Sequence, residues 1–480
     1  MFARQWSFVV AVVSVYSFPA RGAQWEVASA AEVAAAAQAA APGDEIVMRD
    51  GLWTDADILF DCHGTARHQV TLRAQTPGKV ILSGQSRLRL AGEHLVVEGL
   101  WFKDGHLASG ELISFRASSK KHAYRCRITN CAVTDCNPPD RKAETKWVSL
   151  YGTHNRFDHC ELTGKENAGT TLVVWLSGEP NHHQIDHNYF GPRPALGANG
   201  GETIRVGTSD WSMSDSHTIV EHNLFRQCNG EIEVVSNKSC ANIYRYNTFL
   251  DCEGALTLRH GNRCTVQGNF FHGHGKRHTG GVRIIGEDHR VYNNYFADLG
   301  GDGARSAISM MNGIHNSPLS GYFQVQRAIV AFNTFVHCRS NFALGISGSK
   351  SEVVPPKDCI VANNLILSDQ GSLVKEFSAA MNLRWEANIV NGSALAAMPV
   401  AGVTVMDAEL AQSADGLWRP SSTSAVRGAA AKGYSFVVDD IDGQARGAGA
   451  DVGCDQVSSA PVLRRPMDLA AVGPNWSKTP

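Results

Sequence analysis

The sequence predicts an all-β chain wound into a right-handed parallel β-helix, with a short N-terminal capping helix and an irregular C-terminal cap. Three observations lead there. An asparagine followed by an apolar or aromatic pair recurs along the chain, short strand-like runs fill the intervals, and cysteines fall on the same period. The asparagines are Asn188, Asn223, Asn247, Asn269, Asn294, Asn333, Asn364 and Asn388, in contexts such as EHNLF, RYNTF and AFNTF. Their steps of 35, 24, 22, 25, 39, 31 and 24 residues read as a coil of about 24 with loops inserted in some coils.

Each element follows from local chemistry. Runs such as 94-HLVVEGLWF-102, 218-TIVEHNLF-225 and 281-GVRIIG-286 are rich in β-branched and aromatic residues and bounded by Gly, Asn and Asp. Such runs are short strands with turn punctuation, about three per coil. The asparagines are expected to stack at one turn, with weaker copies at 128-ITNCAV-133 and 157-FDHCEL-162. Only 28-ASAAEVAAAAQAAAPGD-44 has helical spacing, and it is suited to covering the open end of a solenoid. From about residue 395 the pattern fades into Ala-, Ser-, Gly- and Asp-rich sequence, read as the last irregular coils and cap. One β-helix unit, including the cap, is therefore expected over 24–460, with a tail at 461–480.

Cys228, Cys240, Cys252 and Cys264 lie twelve apart, which places Cys228 under Cys252 and Cys240 under Cys264 in a 24-residue coil. Buried thiols in ladders are expected, since free Cys behaves as a small hydrophobe and no CxxC metal motif occurs. The N-terminus reads as a secretory signal over 1–23: Arg4, the apolar run 8-FVVAVVSVYSF-18, then small residues. A secreted or periplasmic location follows. The run is too short to span a bilayer comfortably. With 43% hydrophobic and 19% charged residues the chain is globular, and its net charge of −2 gives no global pull on polyanions. No nucleic-acid partner or membrane span is expected, and the chain is expected to act as a monomer.

Chemistry concentrates in the central third. In 230-GEIEVVSNKSC-240, Glu231 and Glu233 are two apart, so an extended strand would aim both carboxylates the same way. Like charges so close call for a counter-charge, and hard oxygen donors suit Ca²⁺. Asn199, in the Gly-rich run 197-GANGGETIRVG-207, is the upstream candidate for a third oxygen ligand. By itself an ExE pair is commonly a solvated strand face.

The runs 190-FGPRPALGANGGETIRVGTSD-210, 229-NGEIEVVSNKS-239, 256-LTLRHGN-262, 269-NFFHG-273 and 280-GGVRIIG-286 together resemble polysaccharide lyase family 6, the alginate lyases and chondroitinase B. The resemblance implies a parallel β-helix in which Asn199, Glu231 and Glu233 bind Ca²⁺, Lys238 is the general base and Arg259 completes the site. It implies β-elimination of a 4-linked uronate polymer, an anionic polysaccharide. Alginate is the first choice, because NGGETIRVG, SNKS and LTLRHGN look closest to the alginate-cleaving members. Loss of the C5 proton builds charge beside a carboxylate, which a divalent cation would stabilise. As a base, Lys238 has to be neutral, which a cation and Arg259 would favour. Arg259 holds its proton too tightly to be an easy acid, so charge stabilisation at the glycosidic oxygen is its expected role.

His260 and Arg283 match positions facing the substrate groove, although strict alternation would turn His260 inward. Glu202 and Arg205 are expected beside Asn199, either orienting it or forming a structural ion pair. Lys276 and Arg277, in 272-HGHGKRHTGG-281, are expected to form a flexible basic lip for an acidic chain. The cluster 181-NHHQIDHN-188 reads as turn chemistry rather than metal binding. The alternatives are a chondroitinase B-like lyase acting on dermatan sulfate, or a hydrolytic or non-catalytic carbohydrate-binding β-helix. A hydrolase would call for paired Asp at the groove, and the central coils offer Glu, Lys and Arg instead.

Overall fold

The computed structural model describes residues 22–368, 373–392, 401–447 and 449–478. Residues 1–21, which hold most of the expected signal segment, lie outside them. The chain winds into a parallel β-helix whose coils each contribute one strand to three sheets. One coil shows the plan: Ile219–Glu221 enters the first sheet, Leu224–Arg226 the second and Glu233–Lys238 the third. The next coil repeats it with Ile243–Arg245, Thr248–Leu250 and Ala255–His260, each strand parallel to the one before. Each sheet reaches 14 strands among the described residues.

The asparagine ladder explains why the period is legible. Each side-chain amide from Asn188 to Asn364 donates to the side-chain oxygen of the next asparagine at 2.9–3.0 Å. The ladder satisfies buried polar groups at the corner between the first two sheets. Upstream, Cys131 and Cys160 take the corresponding turn positions. The residue just before each asparagine takes positive φ, as at His187, His222, Tyr246 and Asn293. His187 stacks on His159 and His222, so the histidine-rich stretch is turn chemistry. Inside, Phe190, Phe225, Phe249, Phe271, Phe296 and Phe335 stack in file at 4.6–4.9 Å. All twelve cysteines are free and buried; Cys252 meets Cys228, and Cys264 lies beside Cys240.

The helix Ala30–Ala39 covers the N-terminal end, burying Val33, Ala36 and Ala37. Ser29 caps it through the Glu32 N–H, while the Glu32 carboxylate reaches back to the Ala28 N–H. At the other end the chain does more than close the last coil. The described part of 401–478 returns along the flank of the solenoid towards its start. The Trp418 N–H donates to the Tyr295 hydroxyl, the Met467 N–H to Thr248 Oγ1 and the Asn475 N–H to Asn130 Oδ1. Trp476 finally meets Trp101 at 5.6 Å between ring centres. The expected cap is thus also a strap.

Candidate active site

The third sheet carries the site on four neighbouring strands: Ile204–Gly207, Glu233–Lys238, Ala255–His260 and Val282–Ile284. Ile204, Val235, Leu256 and Val282 align as one inward row, and Arg205, Ser236, Thr257 and Arg283 as the adjacent outward row. Two register shifts shape the centre. One falls between Glu233 and Val235; the other sets Lys238 opposite His260, with Arg259 as the extra residue. That bulge puts consecutive Arg259 and His260 at the groove, where simple alternation would have turned one inward.

Glu202, Glu231 and Glu233 bring carboxylate oxygens within 4.8 Å of one another. The route differs from the one expected. The strand begins at Glu233, and Glu231 occupies the bend before it, so the two acids converge by a turn rather than by strand alternation. Glu231 accepts from the N–H groups of Gly200 and Gly201 at 3.1 and 3.4 Å. Burial, with Glu202 and Glu233 close by, pushes its carboxyl up to about 7. Glu233 accepts the Ser236 hydroxyl at 2.5 Å and faces two cations, Arg259 Nε at 3.5 Å and Arg283 Nη1 at 3.7 Å. Lys238 Nζ lies 3.9 Å from Glu202 Oε1. Three hard carboxylates crowded this closely, one of them held only by backbone N–H groups, fit a divalent cation. Asn199 is exposed and lines the same cavity of about 450 Å³ as Glu231.

The other expected residues divide. His260 is buried, and burial, then Arg259 and Lys238, push its imidazole down to about 3. It therefore stands neutral beside the amine. Arg283 is buried and donates to the Tyr322 hydroxyl. Arg205 points to a different neighbour, the Trp175 ring, at 5.3 Å. Lys276 is bound to Asp251 at 2.7 Å, so its charge is held by the preceding coil rather than free at a lip. Arg277 beside it is exposed.

Two contributors, Tyr322 and Arg193, were not singled out from sequence, and a third, Glu202, was given a different role. Glu202 stands in the acid cluster itself, not behind it. Tyr322 lies under Arg259, whose guanidinium sits 4.1 Å from the ring centre. It comes from the 39-residue step between Asn294 and Asn333, the largest insertion in the repeat. Arg193, in 190-FGPRP-194, is 3% exposed and has no carboxylate partner among the described residues. Its guanidinium donates to Glu202 O at 2.7 Å, Gly169 O at 2.9 Å, Asn167 O and Thr171 Oγ1 at 3.1 Å, and Gly200 O at 3.4 Å. It thereby clamps the turn that supplies Glu202 and the two N–H groups on Glu231. Burial pushes its own pKa down to about 10.

Comparison with known proteins places this arrangement. The sequence profile of the chondroitinase B family matches residues 27–436. The chain belongs to that family, polysaccharide lyase family 6. Among solved structures it resembles the family 6 alginate lyase AlyGC, at 38% identity and a TM-score of 0.83 over 95% of this chain. This chain spans 59% of the length of AlyGC. A mannuronic acid specific family 6 lyase from human gut microbiota is 32% identical, with a TM-score of 0.72 over 80% of this chain and 91% of its own. A family 6 polysaccharide lyase from Pseudopedobacter saltans is 25% identical, with a TM-score of 0.72 over 95% of this chain and 100% of its own. No curated protein sequence matches the chain significantly.

Proposed function

We propose that the protein is a polysaccharide lyase that cleaves alginate by β-elimination, with Lys238 as base and Arg259 at the leaving oxygen. The observation that carries this reading is the meeting of Lys238, Arg259 and the three-acid cluster on one face of the third sheet. A metal-binding β-helix without catalysis would have no use for an amine and a guanidinium beside its acids. Glu231, Glu233 and Glu202 would hold Ca²⁺, with Asn199 closing on it from the rim. When bound, the ion would supply Lewis-acid stabilisation for the charge that develops on the uronate carboxylate.

The chain's own residues do the rest. Lys238 takes the C5 proton, and neutral His260 beside it adds no competing charge. Arg259 is aimed by Tyr322 beneath it and by Glu233 alongside, and it stabilises charge building on the glycosidic oxygen. The C4–O bond breaks as the C4–C5 double bond forms, and the leaving oxygen takes up a proton from water while Arg259 keeps its own. Alginate is preferred as substrate because AlyGC, at 38% identity, is an alginate lyase and the gut relative is mannuronic acid specific. The N-terminal segment 1–23 supports export to where such polymers are found.

The test is to incubate the protein with alginate, its mannuronate and guluronate block polymers, and dermatan sulfate, following ultraviolet absorbance. The expected result is absorbance from new double bonds on alginate or one of its blocks. Reducing ends without absorbance would identify a hydrolase, and absorbance on dermatan sulfate alone would reassign the substrate.

A further inference from the structure

The residue just before each ladder position forms a file of its own along the corner between the first two sheets. Over nine successive coils it is Asn130, His159, His187, His222, Tyr246, Gly268, Asn293, Phe332 and Asn363, all at positive φ. The C-terminal segment lies along this file in reverse chain order. Asn363 Nδ2 donates to Ala431 O at 3.1 Å, and its Oδ1 accepts the Ala431 N–H at 2.7 Å. Asn293 Nδ2 donates to Asp439 O at 2.7 Å, and Arg446, 4.7 Å from the Phe332 ring centre, donates to Asn293 Oδ1. The Arg464 guanidinium lies 4.1 Å from the Tyr246 ring centre. The Gly473 N–H then donates to His187 O at 2.9 Å, the Asn475 N–H to Asn130 Oδ1 at 2.7 Å and Trp476 Nε1 to Asn130 O at 2.8 Å. Asparagine suits these points, since it tolerates positive φ and offers a donor and an acceptor together.

The last anchor is a built socket. Gly78 has a φ of +78°, and a Cβ there would stand 2.4 Å from the Trp476 ring, so only glycine leaves room for the indole. Trp101 meets the same ring at 5.6 Å. Under the stretch before that socket lies a cavity of about 410 Å³, bounded by Leu469, Ala470 and Val472 on one side and by Glu161 and Tyr189 on the other. That stretch is therefore held at its anchors rather than by continuous packing. In a bare solenoid each coil touches only its neighbours, so coils can open separately. Here the anchors join residues 68 apart, at Asn363 and Ala431, and 345 apart, at Asn130 and Asn475.

We propose that the segment from Ala431 to Trp476 is a clasp that makes these nine coils open as one unit. The strands Ile204–Gly207, Glu233–Lys238, Ala255–His260 and Val282–Ile284 follow His187, His222, Tyr246 and Gly268 in their coils, and so fall between the anchors at His187 and Asn293. To splay one of these coils, the chain has to break an anchor far off in sequence as well as the local ladder. The clasp thereby holds the register on which Lys238, Arg259 and the three acids meet. Pinning the coil of Asn130 to the end of the chain also ties the two limits of the file together, so opening has no loose end from which to spread.

Hydrogen exchange followed by mass spectrometry tests the clasp in the full chain. Asn130→Gly keeps the positive φ and removes the Oδ1 acceptor, Trp476→Ala empties the socket, and the two are also combined. Asn130→Asp keeps the acceptor and is the control. Circular dichroism confirms folding, and the single substitutions serve if the combined variant fails to fold. In the parent protein the strand amides from Arg127–Thr129 to Leu365–Leu367 should exchange at one common slowest rate. In the combined variant 466–478 should lose its protection. The amides of Arg127–Thr129, Ala132–Thr134 and Glu233–Lys238 should then exchange at least about tenfold faster than in the parent, while those of Leu365–Leu367 keep their rate. Asn130→Asp should behave as the parent. Protection at 466–478 that survives the combined substitution, or a freed 466–478 with coil exchange unchanged, overturns the proposal. Separate coil rates in the parent protein overturn it as well.

Discussion

Arg193→Met tests how the acid cluster is held. The substitution removes five hydrogen bonds from one buried guanidinium. Gly200 O and Glu202 O keep other donors, the Gly169 and Thr171 N–H groups, whereas Asn167 O and Gly169 O lose the guanidinium that serves them. At about 1–3 kcal/mol per buried group left unpaired, the cost is about 2–6 kcal/mol, borne by the turn at 167–169, whose Gly169 N–H holds Gly200 O. Part of it should appear as displacement of Glu202 and of the two N–H groups on Glu231, and so as weaker metal binding. Partners that orient ligands typically matter by about 10–100-fold in metal affinity. Charge alone predicts the opposite sign, because deleting a buried cation near three acids should tighten cation binding. Terbium luminescence and calcium calorimetry on Arg193→Met and Arg193→Lys decide between them. We expect both variants to bind at least tenfold more weakly, with Arg193→Lys the milder, since an ammonium keeps the charge and loses the fork. Tighter binding by Arg193→Met, or unchanged binding by both, would refute the positioning argument.

Other expectations follow from the same coordinates. Asn247→Ala breaks four ladder bonds, to Asn223, Val220 and Asn269, and should cost about 3–5 kcal/mol, read as a large fall in the thermal midpoint. Lys165 is 1% exposed, and burial, then Arg193 and Lys146, push its amine down to about 6, below its ordinary 10.5. The folded state then binds fewer protons than the unfolded state between those values, so its contribution to stability rises with pH. Compared with Lys165→Met, the parent protein should therefore lose stability as pH falls from about 10 to about 6, and parallel melting curves across that window would contradict it. Tyr322→Leu removes the ring beneath Arg259 and the hydroxyl on Arg283, and should lower kcat about tenfold or more with the fold intact by circular dichroism.

The fold was legible because a solenoid asks the same question of every coil. A ladder position must be filled by one residue that both donates and accepts, so Asn188 to Asn388 recur visibly, and the stacked cysteines and phenylalanines share their period. Glu231, Glu233, Lys238 and Arg259 were legible through motifs that resemble the family, whereas spacing alone left the ExE pair readable as a solvated strand face. The site was not legible where the backbone departs from regularity. Glu231 reaches Glu233 through a bend, and a bulge that no spacing rule reports brings His260 to the groove. Tyr322 arrives from an insertion whose length was visible but whose path was not. Lys276 resembled a free basic lip until Asp251, 25 residues earlier, was seen to hold it. The strap at 401–478 has no periodicity to read, because it pairs with corners of coils far away in sequence.

The central claim is that one amine removes the C5 proton while the acids and guanidinium around it only prepare the sugar. Lys238→Ala, supplied with calcium and saturating alginate, tests it most directly through ultraviolet absorbance for turnover and calorimetry for binding. The account predicts binding within about threefold of the parent and turnover reduced at least about a thousandfold. A variant that binds and still produces unsaturated ends at more than about a tenth of the parent rate would contradict it.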